Sequence, residues 1–167
     1  NDLLKTKDLD YVIASDTDSV YINMEPLVKR LGIDANDKTN ISNIVDCLDK
    51  FCSTKIQNMI NRSYTDLSEY MHAYQQKMFM KRETIANKGI WKARKMYILN
   101  ALDIEGVRFS EPQLKIMGIE AVRSSTPKSC RDAIKKSLKI IMNEDEETFQ
   151  KYIADFKTEF MKMSFWI

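Results

Sequence analysis

The apolar residues of this chain change period partway along, and that change limits the folds open to it. From Ile41 they recur as Ile44, Val45, Leu48, Phe51, Cys52, Ile56, Met59 and Ile60, the spacing of one helix face held for about five turns. Thr39 or Asn40 stands where a capping residue belongs. A shorter patch, Leu67 to Met71, continues this helix after a break. Between Gln75 and Glu120 the pattern becomes strand-like, in segments 77–86, 95–103, 107–109 and 115–119, with Glu105-Gly106 as a tight turn. Thr126-Pro127 then supplies a cap and a first-turn proline for a helix that presents Ala133, Ile134, Leu138 and Ile141 on one face and ends near Asn143. A last helix opens on Glu144-Asp145-Glu146-Glu147, acidic residues at the positive end of its dipole. Its buried face would hold Phe149, Tyr152, Ile153, Phe156 and Phe160. This order predicts an α+β fold, with helices packed on one side of an antiparallel sheet and a helical pair at the end.

Nearer the N-terminus, Tyr11 to Ala14 and Val20 to Ile22 are apolar and flank the small polar run Ser15 to Ser19. Two short strands joined by an acidic tip are expected. There Asp16 and Asp18 place two carboxylates two residues apart at a chain reversal, where they could share hard divalent cations. Magnesium takes oxygen ligands and keeps positions open for water and substrate phosphates. Asp and Ser are also frequent turn residues for backbone reasons alone, so the tip by itself reads more readily as a plain turn.

Charge is unevenly spread. Residues 77–139 carry 15 Lys/Arg against 6 Asp/Glu, a net of +9, while the whole chain is only +2 and the remainder is therefore −7. A basic middle with acidic flanks suits a phosphate backbone, and equally an ordinary solvated face. With 167 residues, 44% of them hydrophobic, one globular domain is expected. No stretch approaches the roughly 18 unbroken apolar residues of a membrane span, and Asn1 to Lys5 lack the order of a signal peptide, so a soluble intracellular protein is expected. Cys47, Cys52 and Cys130 form no CxxC pair and read as free thiols. Met78, Met80 and Met96 read as core filling, because magnesium chemistry does not use thioether. The chain opens on Asn1 and closes on Phe165-Trp166-Ile167, ends that suggest a fragment.

Several motifs carry a resemblance. Tyr11-Val-Ile-Ala-Ser-Asp-Thr-Asp-Ser-Val-Tyr-Ile22 resembles motif C of family B DNA polymerases, complete at Asp16 to Ser19, with Ala14-Ser15 where the family usually has Tyr-Gly. Lys92-Ala-Arg-Lys-Met-Tyr97 resembles the basic Lys-Lys-x-Tyr segment with which that family holds primer-template duplex behind the active site, Met96 standing in for a frequent Arg. Leu114 to Glu120 and Ser124-Ser-Thr-Pro-Lys128 resemble the end of the palm and the start of the thumb in the form used by tailed bacteriophages. The order and spacing of these motifs span essentially the whole chain. The resemblance implies an antiparallel palm sheet over 1–122 and the helical beginning of a thumb over 123–167.

It also implies roles. Asp18 would be the metal-bridging carboxylate and Asp16 its neighbour, with two Mg2+ ions shared with a motif A carboxylate outside this chain. Glu83, among Lys81, Arg82 and Lys88, corresponds to another acidic residue near the family's active site, or is simply a local charge partner. Arg94, Lys95 and Tyr97 would hold duplex, Lys95 and Tyr97 sharing one face of a strand. Lys115 could reach the primer strand, and Thr126 and Lys128 stand at a helix N-terminus suited to phosphate. In isolation Lys95 reads more readily as an ordinary exposed strand lysine and Tyr97 as a core aromatic, while Lys115 and Lys128 are as readily solvated side chains. The implied activity is template-directed nucleotidyl transfer from a dNTP to a primer 3′-hydroxyl in DNA replication. Implied partners are primer-template DNA, the remaining N-terminal polymerase segments and a sliding clamp, in the cytoplasm of an infected bacterial host. Motif A and the fingers lysine (motif B) lie outside the chain, so it should not extend a primer alone. The alternative is a separately encoded DNA-binding subunit of a split polymerase.

Overall fold

The computed structural model describes residues 10–33 and 40–162. Strands β1 (Val12–Asp16) and β2 (Ser19–Ile22) form an antiparallel ribbon and precede the short helix α1 (Glu25–Arg30). Helix α2 (Ile41–Phe51) runs through a π-helical turn, Cys52–Ile56, into α3 (Gln57–Tyr70). Strands β3 (Thr84–Ala93), β4 (Met96–Ile104) and β5 (Val107–Met117) form an antiparallel sheet with β4 in the middle. A 3-10 turn (Glu120–Val122) leads to α4 (Lys128–Asn143) and α5 (Glu146–Lys162). The fold is mixed α+β, as the sequence predicts.

Two compact units divide the chain, one of residues 1–85 and 102–108, the other of 86–101 and 109–167. In the first, Val28, Ile44, Val45, Leu48, Ile85 and Leu102 form the core, each worth about 1.5–3 kcal/mol on full burial. Ile44, Val45 and Leu48 are the stripe that the helical spacing predicts. In the second, Ile98, Ile119, Ala121 and Met142 are buried with Leu114, Ile116, Ile134 and Leu138 packed against them.

Several expectations change. The helix does not break before Leu67 but loosens at Cys52–Ile56 and continues to Tyr70. Ser53 and Thr54 hydroxyls both donate to the Lys50 carbonyl, competing with the amide ladder and widening it into a π turn. Asn40 precedes α2 without a side-chain cap bond, and Thr39 lies outside the described residues. Residues 77–83 form no strand, whereas β3 begins at Thr84 and runs on to Ala93. β5 is a single strand across the segments 107–109 and 115–119. It tolerates Pro112 because it is an edge strand, where a missing amide donor leaves no partner stranded.

On α4, Ile140 and Met142 are buried while Ile141 is exposed. Pro127, not Thr126, immediately precedes the helix, with no side-chain cap bond. Glu144 ends α4, and the Asp145 carboxylate accepts the Thr148 amide at 2.8 Å, which starts α5. That bond, first among its causes, holds the Asp145 carboxyl below its ordinary range. Phe149, Tyr152, Phe156 and Phe160 are half-buried and Ile153 is exposed, the rings of 152, 156 and 160 following one another along the helix. Met78 is exposed rather than core filling, and all three cysteines are free. No helix among the described residues is long and apolar enough to cross a membrane.

Candidate metal and nucleic-acid site

The acidic tip is a two-residue hairpin turn. Asp16 pairs with Ser19 across the ribbon, leaving Thr17 and Asp18 to reverse the chain. Thr17 takes a positive φ of 43°, a conformation that costs a β-branched residue about 1–2 kcal/mol and persists only where the surroundings impose it. Here the imposing bonds converge on Asp16. Its carbonyl accepts the Asp18 amide and the Ser19 hydroxyl, and its carboxylate accepts the Thr17 hydroxyl at 3.1 Å. Asp16 is half-buried and Asp18 is exposed at the tip. The donor set is oxygen-only and open to solvent, which fits one arm of a magnesium site. Among the described residues no three His, Cys, Asp or Glu side chains come together as a metal-holding group, so Asp16, Asp18 and Glu83 do not form one by themselves.

Glu83 is exposed, in the segment just before β3. Its carbonyl accepts the Glu105 amide at 2.6 Å, and its neighbour Arg82 anchors the segment. The Arg82 guanidinium donates to the Asp49 carboxylate at 2.5 and 2.9 Å and to Asp103 by a short bond. Asp103, 1% exposed in its side chain, also accepts the Gly106 amide at 2.9 Å and lies 3.5 Å from Arg108, which itself pairs with Asp46 at 2.7 Å. Burial works against the Arg82 charge, but the bonds to Asp49 and Asp103 outweigh it and hold the pKa above its ordinary value. Burial pushes the nearby Cys52 thiol up, against the opposing pull of Arg82, so it stays a thiol rather than a reactive thiolate. Sequence reasoning missed this cluster. Asp103 was visible as an acid closing an apolar strand, yet Arg82 lies 21 residues before it.

The DNA-binding candidates Arg94, Lys95, Tyr97, Lys115, Thr126 and Lys128 all fall in the second unit, whereas Asp16, Asp18 and Glu83 fall in the first. Arg94 and Lys95 form the turn between β3 and β4 rather than part of a strand. Lys95 has φ +59°, so strand alternation does not put it on one face with Tyr97. Both turn cations are exposed; Tyr97, Lys115 and Thr126 are half-buried, and Lys128 is exposed. Gly118 supports this turn. At φ +69°, its backbone lies so close that a Cβ would overlap the Lys95 carbonyl oxygen, and only glycine fits. A further polar group was not anticipated: buried Asn100 donates to the Asn87 and Asn143 side chains at 2.9 and 3.1 Å, and Lys88 donates to the Met142 carbonyl at 2.6 Å, satisfying the C-terminal end of α4.

No family model matches the chain. Over 99% of its length it is 37% identical to the DNA-directed DNA polymerase of Enterobacteria phage T4, and over 87% it is 38% identical to the DNA-directed DNA polymerase of Escherichia phage RB69. The aligned region spans 19% and 17% of those proteins. The chain is therefore a homologue of a short segment of the phage T4 and RB69 DNA polymerases.

Proposed function

We propose that this chain forms the motif C part of the palm, with the beginning of the thumb from residue 123, in a DNA-directed DNA polymerase of family B. The observation that carries the reading is the near-complete alignment to phage polymerases, joined to a carboxylate pair on an exposed turn. Asp18 and Asp16 would hold Mg2+ together with a carboxylate from another segment of the polymerase. Bound there, the metal supplies Lewis-acid activation of a primer 3′-hydroxyl and neutralises charge on the departing pyrophosphate. The bonds among Asp16, Thr17 and Ser19 fix the backbone of the turn and hold the Asp16 carboxylate, which saves reorganisation when charge develops.

Arg94 and Lys95, exposed on their turn, hold the primer-template backbone; Tyr97, Lys115, Thr126 and Lys128 extend that contact, and Glu83 assists near the metals. dNTP, primer-template DNA and the remaining polymerase segments are the partners, a sliding clamp acts through segments outside this chain, and the work takes place in the cytoplasm of a phage-infected cell. Separate readouts test the roles. In a complete polymerase carrying this segment, Asp18→Ala abolishes primer extension and leaves duplex affinity unchanged, while Lys95→Ala weakens duplex binding. Extension surviving both changes would overturn the assignments.

A further inference from the structure

Asp103 reaches Glu83 by two routes, and both start from the same carboxylate oxygen. Its Oδ1 accepts the Arg82 guanidinium by a short bond and the Gly106 amide at 2.9 Å. The first route holds the residue immediately before Glu83. The second fixes the Glu105-Gly106 turn, where both residues have positive φ, 52° and 87°, and where the Glu105 amide donates to the Glu83 carbonyl at 2.6 Å. Arg82 is tied in turn to α2 through Asp49, at 2.5 and 2.9 Å. A planar guanidinium bonded to two carboxylates on different elements has little freedom to swing. The backbone at Arg82-Glu83 is therefore held from both sides, while Glu83 itself is exposed.

As a source of stability alone, this cluster is a poor choice. The Arg82 side chain is 16% exposed and that of Asp103 1%. Taking both charges out of water offsets much of their attraction, and apolar residues of like volume would hold the same elements about as firmly. The other Asp103 oxygen, Oδ2, is buried without a hydrogen bond, the Arg108 guanidinium lying 3.5 Å away. What a forked ionic bond supplies and an apolar contact does not is direction: it sets the course of the chain at one residue. That residue precedes Glu83. All of these groups, together with Asp16 and Asp18, belong to the first compact unit.

We infer that Asp103 and Arg82 are positioning residues for nucleotidyl transfer, holding the backbone that presents the Glu83 carboxylate to the metal site. The inference rests on the reading of Glu83 as an acid that assists near the metals. Both residues act through Glu83, without a contact of their own to metal, dNTP or DNA.

The test is steady-state primer extension by a complete polymerase carrying this segment, with duplex, dNTP and Mg2+ varied in turn. Variants are Glu83→Gln, Asp103→Asn, Arg82→Lys, the combination Glu83→Gln/Asp103→Asn, and Arg108→Met. Urea unfolding of each sets conditions under which all are folded. Asp103→Asn keeps the size of the side chain and an acceptor for the Gly106 amide, but weakens the bond to Arg82; Arg82→Lys keeps the charge and loses the fork. Glu83→Gln is expected to lower kcat and raise the Mg2+ concentration at half-maximal rate. Asp103→Asn and Arg82→Lys are each expected to lower kcat by about tenfold with the KM for duplex unchanged. The combined variant should be no slower than the slower of its two single variants, because both changes act through one carboxylate. Arg108→Met, which alters the other neighbour of Asp103 and leaves Arg82 in place, should stay close to the parent. Losses that multiply in the combined variant, a parent-level kcat in either Asp103→Asn or Arg82→Lys, or an equal fall in Arg108→Met would each overturn the inference. Glu83→Gln at the parent rate would overturn it too, while loss of extension in Asp18→Ala leaves the polymerase reading standing. Extension that survives Asp18→Ala would count against that reading and the inference together.

Discussion

Arg82 lies between two carboxylates, and they are not equivalent. Asp49 is 43% exposed in its side chain and can turn to water, whereas Asp103 is 1% exposed and cannot. Replacing Arg82 with Met should therefore leave a buried charge short of its nearest partner, at a cost of roughly 3 kcal/mol. Arg108→Met should cost less, because its pairing to Asp46 is exposed and its distance to Asp103 is longer. Urea unfolding of the two variants measures the difference, and equal losses would contradict it. Gly118→Ala should destabilise by at least about 1 kcal/mol through the positive φ alone. It should also weaken duplex binding, since the Lys95 carbonyl must move, and anisotropy reads that second effect separately. At this scale the sequence showed Asp103 and Asn100 as polar interruptions of an apolar strand. It could not show that Arg82, 21 residues from Asp103, and Asn143, 43 residues from Asn100, are their partners.

Elements were legible where local chemistry is strong. The acidic hairpin, the α2 stripe, the Glu105-Gly106 turn and the end of α4 at Asn143 all follow from spacing and turn residues. The errors have specific causes. β5 looked like two strands because its middle is polar and holds Pro112, which only an edge position excuses. Lys95 looked like strand because nothing local reveals that Gly118 packs on its carbonyl. The start of α5 depends on Asp145, whose carboxyl titrates below its ordinary 3.8. The sign follows: a depressed folded pKa gives stability that is fully present above 3.8 and is lost as pH falls through the folded value. Asp145→Ala should thus lower the thermal midpoint at neutral pH, and the gap from the parent should close in acid below that value. Thermal melts followed by circular dichroism across pH check this, and a gap that persists in strong acid would contradict it.

At the scale of the whole molecule, the acidic and basic candidates lie in different compact units, and the chain matches under a fifth of its phage relatives. A catalytic site built on Asp16 and Asp18 needs a further carboxylate, for the described residues provide no group of three. The 167-residue chain alone is accordingly expected to bind duplex but extend no primer, which a gel-based extension assay with Mg2+ reads directly. The motifs made this separation of charge visible, since the Asp16–Ser19 segment is acidic and the Lys92–Tyr97 segment basic. The turn geometry needed three dimensions. The most direct measurement is primer extension by a phage T4 polymerase in which the homologous segment is replaced by this chain, with and without Asp18→Asn. The account predicts extension by the chimera and its loss on Asp18→Asn, by at least about a thousandfold if the carboxylate holds the metal, with duplex affinity unchanged. A chimera that extends primers equally well with asparagine at that position would contradict it.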